Sequence, residues 1–213
     1  MNENIKSHPL PELLPQEWVK RAEALSTTLL SDILEHAPEM DYKIKPAVLT
    51  HRMIGSALTV ETAQGDNLAV HYAMHQAKKG YVLVVNAHGY EQRAIIGELM
   101  MEASIVIGFE GFVIDGLVRD ASALSRSSFP IFSRGYIPAG PTKDGPGTIN
   151  SEISCGGQKV RPGDFIMGDA DGVIVIPRDQ VEDALTRAEK KELYEQDRID
   201  EIKKGRTRPK WLK

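Results

Sequence analysis

Cysteine is nearly absent: Cys155 is the only one in 213 residues. That excludes an internal disulfide and a zinc cage built on cysteines. Cys155 has no histidine beside it and no helix-start signal, so it reads as a buried structural thiol rather than a nucleophile. No apolar run approaches the ~18 residues expected of a membrane span. The stretch up to Trp18 lacks the apolar core of a signal peptide. Positive charge is not in surplus either, and a formal net charge of −4 leaves no electrostatic footprint for nucleic acid. These absences predict a cytoplasmic protein with no membrane and no nucleic-acid partner. Internal repeats, low-complexity tracts and a domain-dividing linker are also missing.

What remains is ordinary globular material, 41% hydrophobic and 26% charged. The chain is long enough for one well-buried core, so a single domain over 1–213 is expected. Three of the twelve prolines fall in residues 1–15, which read as an arm that wraps or frays. A helical pattern follows, with Trp18, Val19, Ala22 and Leu25 on one face. Ser26 or Thr28 starts a second helix through Leu29, Leu30 and Ile33, ending before Pro38. Lys45-Pro46 opens a strand-rich stretch. A strand is expected over 54–60, and Gly65-Asp66-Asn67 caps a helix over 67–78. The valine-rich run Tyr81-Val82-Leu83-Val84-Val85 reads as a buried strand.

That rhythm then repeats. Gly97-Glu98 opens a helix over 98–107, and Gly108 closes it. Gly111-Phe112-Val113-Ile114-Asp115 is a strand, and Gly116-Leu117-Val118 reads as a turn before Arg119-Asp120. A short helix over about 121–126 leads to a strand at Pro130-Ile131-Phe132-Ser133. Two successive β-α-β crossovers predict an α/β fold with a partly parallel sheet. The region 138–163 is dense in Gly, Pro and polar residues, with short β runs such as Thr148-Ile149-Asn150 and a turn at Arg161-Pro162-Gly163-Asp164. Strands over 165–169 and 173–177, joined by Ala170-Asp171-Gly172, make a hairpin. A charged helix runs from Asp179 to about Lys204, with Val181, Ala184, Leu185 and Ala188 as its apolar stripe.

Two short segments carry chemistry. Gly97-Glu98-Leu99-Met100 is a glycine and an acidic residue at a helix start. It leaves the N–H groups of Leu99 and Met100 free, and with the helix dipole they suit a carboxylate or phosphate. Taken alone it is also an ordinary acidic first turn. The second segment, ending in Val118-Arg119-Asp120, places an arginine beside an aspartate beyond a buried strand. Loops past the carboxyl ends of strands are where open α/β sheets put their ligands. There the aspartate suits a hard cation and the arginine an oxyanion. Taken alone it is equally a surface turn with a local ion pair. Twenty residues lie between Glu98 and Arg119, enough for a helix, a turn, a strand and a second turn. Both segments can therefore reach one edge of the sheet.

The spacing acidic–twenty residues–Arg-Asp resembles the class II pyruvate aldolases that cleave 4-hydroxy-4-methyl-2-oxoglutarate and 4-carboxy-4-hydroxy-2-oxoadipate. Those enzymes belong to the wider RraA family, named for regulators of ribonuclease E. The resemblance covers roughly residues 26–200. Ala63-Gln64-Gly65-Asp66-Asn67 looks like the family's Pro-Gly-Asp-Asn, and Gly97-Glu98-Leu99-Met100 like its Gly-Asp-Leu-Leu. Phe129-Pro130-Ile131-Phe132-Ser133-Arg134 resembles its Phe-Pro-Val-Trp-Ser-Arg. Val160-Arg161-Pro162-Gly163-Asp164 and the stretch 169–177 are close to its late hairpin.

The resemblance implies a layered α/β sandwich similar to the swivelling phosphohistidine domain, assembled as a trimer or a dimer of trimers. It implies that Asp120 binds Mg²⁺ or Mn²⁺ and that Glu98 reaches the metal through water. Arg119 would contact the keto oxygen of pyruvate, with the Leu99 and Met100 N–H groups on its carboxylate and Gly97 beside them. Glu195 of a neighbouring subunit would complete the outer metal shell, with Glu192, one turn earlier, as the fallback. Glu98 stands where the best-known aldolases have aspartate, a difference that moves a metal-linked water by on the order of 1 Å. The implied activity is cleavage of a 4-hydroxy-2-oxo acid to pyruvate. Oxaloacetate decarboxylation passes through the same enolate.

Two alternatives attach to the family. A non-catalytic regulator that binds a ribonuclease would need neither a metal nor Glu98, Arg119 and Asp120 together. A quinone methyltransferase would need a glycine-rich strand-loop-helix near its start, which is missing. Among other candidates, His51, His71, His75 and His88 show no metalloprotease spacing, and the pair His71 and His75 reads as structural. His88-Gly89-Tyr90 and Arg93 are candidates to line the pocket. Lys143-Asp144-Gly145-Pro146-Gly147 lacks the P-loop pattern. The run 190–204 is a solvated helix face.

Overall fold

The computed structural model describes residues 3–36, 38–209 and 211–212. The chain opens with β1 (Ile5–Ser7), α1 (Gln16–Ala22), α2 (Thr27–Ile33) and β2 (Lys45–Pro46). Its centre is β3 (Met53–Thr62), α3 (Leu68–Gln76), β4 (Tyr81–Asn86), α4 (Glu98–Ile107), β5 (Gly111–Val118), α5 (Ala121–Leu124) and β6 (Ile131–Tyr136). Short strands follow: β7 (Gly147–Ile149), β8 (Ile153–Cys155) and β9 (Gln158–Val160). The hairpin β10 (Phe165–Asp169) and β11 (Gly172–Ile176) then leads to α6 (Val181–Lys203).

The strands β3, β4, β5 and β6 are parallel neighbours in that order, as successive β-α-β crossovers require. β3 is long enough to take two further partners on its outer edge: β10 along its first residues and β7 along its last, both antiparallel. β4 is apolar on both faces because both are covered. Leu83 and Val85 pack under α3 and α4 with Val70, Met74 and Met101. Val82 and Val84 point the other way, into a cluster with Phe132, Cys155, Ile166 and Val175. β10 and β11 repeat the alternation: Phe165, Met167, Ile174 and Ile176 turn toward Leu30 and the stripe Val181, Ala184, Leu185 and Ala188 of α6. The result is a layered α/β structure, with helices α3 and α4 on one side and α1, α2 and α6 against the hairpin. Among the described residues no helix is long and apolar enough to cross a membrane.

The N-terminal arm wraps. Ile5 and Leu14 are buried, β1 pairs with β7, and the Leu14 N–H donates to Ser56 Oγ at 2.7 Å. Met1 and Asn2, the first residues of the expected arm, lie outside the described residues. Ser26 is the cap of α2, its Oγ accepting the Leu29 N–H at 3.2 Å. Cys155 is fully buried, and burial first, then the nearby Asp115 charge, pushes its thiol well up, as suits a structural thiol. One expectation fails usefully: Gly116-Leu117-Val118 is not a turn. β5 continues through it with a bulge, and Leu117 and Val118 pair with Gly135 and Tyr136. Gly116 is there for room, since a Cβ on it would lie 2.9 Å from the Ala87 Cβ.

Candidate functional site

The extension of β5 is what assembles the site. The segment entering α4 lies alongside it: the Ile95 N–H donates to Leu117 O at 2.8 Å and the Arg119 N–H to Ile96 O at 3.0 Å. Gly97 is thereby laid against Arg119 and Asp120. Asp120 sits in left-handed backbone (φ 62, ψ 40) at the start of α5, a conformation that aspartate tolerates better than most residues. This turns its carboxylate away from its own helix and toward α4, where Oδ2 accepts the Glu98 N–H at 2.9 Å. Arg119 Nε stands 3.6 Å from the same oxygen, with both side chains about 40% exposed. An ion pair that open to water contributes little stability; its effect here is to orient both groups. A side chain on Gly97 would collide with the Asp120 carboxylate and with Arg119. Gly97, Glu98, Arg119 and Asp120, separate in sequence, therefore form one constellation.

The first turn of α4 is partly committed. Met100 N–H donates to Gly97 O at 3.1 Å, so it is turned into the helix rather than toward a ligand. Of the two amides expected to be free, only that of Leu99 has no acceptor among the described residues. The helix dipole still favours an anion at this point.

Gly97, Leu99, Met100 and Arg119 line a cleft of about 180 Å³, whereas Glu98 and Asp120 stand beside it and are not among its lining residues. The cleft is also lined by Asn67 and His71 of the α3 segment and by Gly140, Pro141 and Lys143 of the loop before β7. Asn67 is 2% exposed; its Nδ2 donates to Ile95 O at 2.8 Å, and its Oδ1 is buried without a partner. Burial, then the charge of Lys143, then His75 push His71 below the ordinary histidine value, against a weaker opposite pull from Asp66. His71 had read as structural. The usable signal was the i, i+4 spacing of Asn67 and His71, which puts both on one helix face. Lys143 had no such signal, because its loop resembled nothing.

The other candidates fall elsewhere. His51 is buried with Nε2 2.9 Å from Ser127 O. His88 pairs with Glu61 at 3.2 Å in a separate cleft that includes Lys6. Arg93 donates to Gly140 O at 2.7 Å and so braces the cleft's rim. Neither Glu195 nor Glu192 lines the cleft of its own chain. Glu195 lies 3.7 Å from Lys191 Nζ, which also contacts Asp32 at 2.5 Å. A cleft of about 490 Å³ at the amino ends of β3, β4 and β5 is larger, but no arginine lines it. Chemistry rather than volume selects the smaller one.

A hard divalent cation fits the donor set. Glu98 N–H occupies one oxygen of Asp120 and leaves the other available, and Glu98 itself is exposed. Among the described residues no three metal-ligating side chains gather.

Comparison with known proteins identifies the family. Residues 27–175 match the RraA-like family described as Aldolase/RraA. A protein of Halalkalibacterium halodurans named "Putative 4-hydroxy-4-methyl-2-oxoglutarate aldolase" is 44% identical over 176 residues, 83% of this chain and 84% of that one. An uncharacterized Pseudomonas syringae protein of known structure superposes with a TM-score of 0.80 at 27% identity, covering 90% of this chain and 94% of that one. The RNA-processing inhibitor RraA from Thermus thermophilis superposes with a TM-score of 0.65 at 27% identity, covering 71% and 92%. The family match and the 44% identical relative lead to one conclusion: the chain belongs to the RraA-like family, Aldolase/RraA.

Proposed function

We propose that this chain is a divalent-metal-dependent lyase that cleaves a 4-hydroxy-2-oxo acid to pyruvate and decarboxylates oxaloacetate at the same site. The observation that carries the reading is the interlock beyond β5. The Asp120 carboxylate is held by the Glu98 N–H, with the Arg119 guanidinium against it and Gly97 leaving room for both. The names of the aldolase relatives support it.

Retro-aldol cleavage and decarboxylation both leave an electron pair that delocalises onto the keto oxygen of pyruvate. Asp120 and Glu98, the latter through water, are the residues that would hold Mg²⁺ or Mn²⁺. When bound, the cation supplies Lewis-acid withdrawal of charge from the 2-oxo carboxylate unit. Arg119 donates to the keto oxygen, and its contact strengthens as that oxygen gains charge. The Leu99 N–H, at the positive end of α4, receives the adjoining carboxylate. Glu98 takes up the proton of the 4-hydroxyl by way of water. Lys143 and His71 line the same cleft as Arg119 and meet a second acidic group, so a dicarboxylic substrate fits better than a monocarboxylic one. In a trimer or hexamer, Glu195 of a neighbouring subunit, or Glu192, would be the further acidic residue that helps hold the cation.

The alternative, a non-catalytic ribonuclease regulator, draws on the likeness to the Thermus RraA. The two readings separate in one assay. Purified protein with Mg²⁺ should release pyruvate from oxaloacetate well above the uncatalysed rate; a regulator would leave that rate unchanged.

A further inference from the structure

Lys143 stands on an irregular loop, which by itself does little to fix a side chain. Four donors beneath it converge on the Asp66 carboxylate. Oδ1 accepts the Leu68 N–H at 2.8 Å and so fixes the start of α3. Oδ2 accepts the Thr142 hydroxyl at 2.7 Å, the Asp144 N–H at 2.9 Å and the Gly145 N–H at 3.0 Å. These three loop donors flank Lys143 on both sides. Asp66 is 1% exposed, out of reach of a ligand. Burial pushes its carboxyl up, but the bonds from Leu68, Thr142, Asp144 and Gly145 outweigh that and hold it below the usual carboxylate range. Gly145 permits the approach: a Cβ there would lie 2.9 Å from both Asp66 Cγ and Ala63 Cβ. Asn67, next in the chain, adds a bond from its N–H to Thr142 O at 3.1 Å.

We propose that Asp66 is a positioning residue for the cleft, its buried carboxylate holding Lys143 in place alongside Arg119 so that the site is set for a substrate with a second carboxylate. The inference rests on reading the cleft as a 2-oxo acid site. Asp66 touches no substrate; it acts through the loop. Removing its charge releases Asp144 and Gly145, and Lys143 then no longer stands at a fixed point. The start of α3, with Asn67 and His71, is tied to the same carboxylate, so one buried anion sets the cleft wall on both of these sides.

The test compares Asp66→Asn and Gly145→Ala with Lys143→Ala and wild type, with circular dichroism to confirm folding. Gly145→Ala leaves the Asp66 charge intact and forces the loop away from it. The first readout is oxaloacetate decarboxylation with Mg²⁺. Asp66→Asn and Gly145→Ala should each raise KM about tenfold, the scale of one lost charge-assisted hydrogen bond, with the smaller effect on kcat. Asp66→Asn added to Lys143→Ala should cost less than the product of the two separate effects, since both remove the Lys143 contact. The second readout is the NMR titration of His71, which needs no substrate. In Gly145→Ala it should move up, as in Lys143→Ala, because the cation that depresses it has moved away. A folded Asp66→Asn with wild-type KM, or one whose effect multiplies with that of Lys143→Ala, overturns the proposal. Should Asp66→Asn not fold, Gly145→Ala is judged by the same criteria. If wild type itself releases no pyruvate, the lyase reading has failed; an unchanged His71 titration in Gly145→Ala then overturns the Asp66 anchor, and an upward shift supports it.

Discussion

Gly97 has an ordinary extended backbone (φ −151, ψ −164) that any residue adopts, so its value is the missing side chain. A Cβ there would push the Asp120 carboxylate off the Glu98 N–H and displace Arg119. Gly97→Ala should therefore leave the fold intact and cut pyruvate release roughly 10²-fold, the effect of a misplacement near 1 Å. Steady-state kinetics with circular dichroism on the same sample checks this. Arg119 makes the sharper prediction. In the ground state its guanidinium faces a weakly polar keto oxygen, and on the way to the enolate it faces nearly full negative charge. Arg119→Ala should lower kcat by roughly 10²-fold or more, comparable to losing one oxyanion donor. Arg119→Lys should recover only part of it, since an ammonium is a point charge on a different stem. If only KM changes, Arg119 is an anchor and not an enolate stabiliser. Glu98, Arg119 and Asp120 were legible in the sequence because each sits at the end of a clearly patterned element. Asn67, His71 and Lys143 were not, because their meeting depends on hydrogen bonds to Asp66 from residues nearly eighty positions away.

At the scale of elements, legibility followed periodicity. β4 was evident because a strand covered on both faces is apolar throughout, and the β10–β11 hairpin because an Asp-Gly turn sits between two apolar runs. The end of β5 was misread because glycine signals both turns and close approaches. Only the packing against Ala87 tells which applies. Gly116→Ala should accordingly destabilise the protein by about 1–3 kcal/mol, the usual cost of overpacking. Urea unfolding of the two proteins would measure it, and an unchanged midpoint would mean that the strand yields without cost. The β8–β9 hairpin turns at Gly156 and Gly157, both at positive φ. In the sequence it was lost within a long stretch of Gly, Pro and polar residues.

For the molecule as a whole, the partly parallel α/β sheet was readable from two β-α-β units, and its layering only from the family resemblance. The completeness of the site is a different matter. Gly97 and Arg119 line the cleft, whereas Glu98 and Asp120 stand beside them without lining it, and Glu195 lies on the far part of α6. Past Ala188, α6 buries little and exposes Leu193, Tyr194, Ile199 and Ile202. Apolar side chains at that density on a charged helix suit a second copy of the chain. Light scattering at micromolar concentration should report a trimer or a dimer of trimers, and a clean monomer would contradict this. The central claim is that a divalent cation held at Asp120 drives pyruvate formation. Its most direct test is steady-state pyruvate release from oxaloacetate by protein stripped with EDTA, before and after metal is returned. Stripping should abolish turnover and Mg²⁺ or Mn²⁺ should restore it; full turnover by the metal-free protein would contradict a role for the cation.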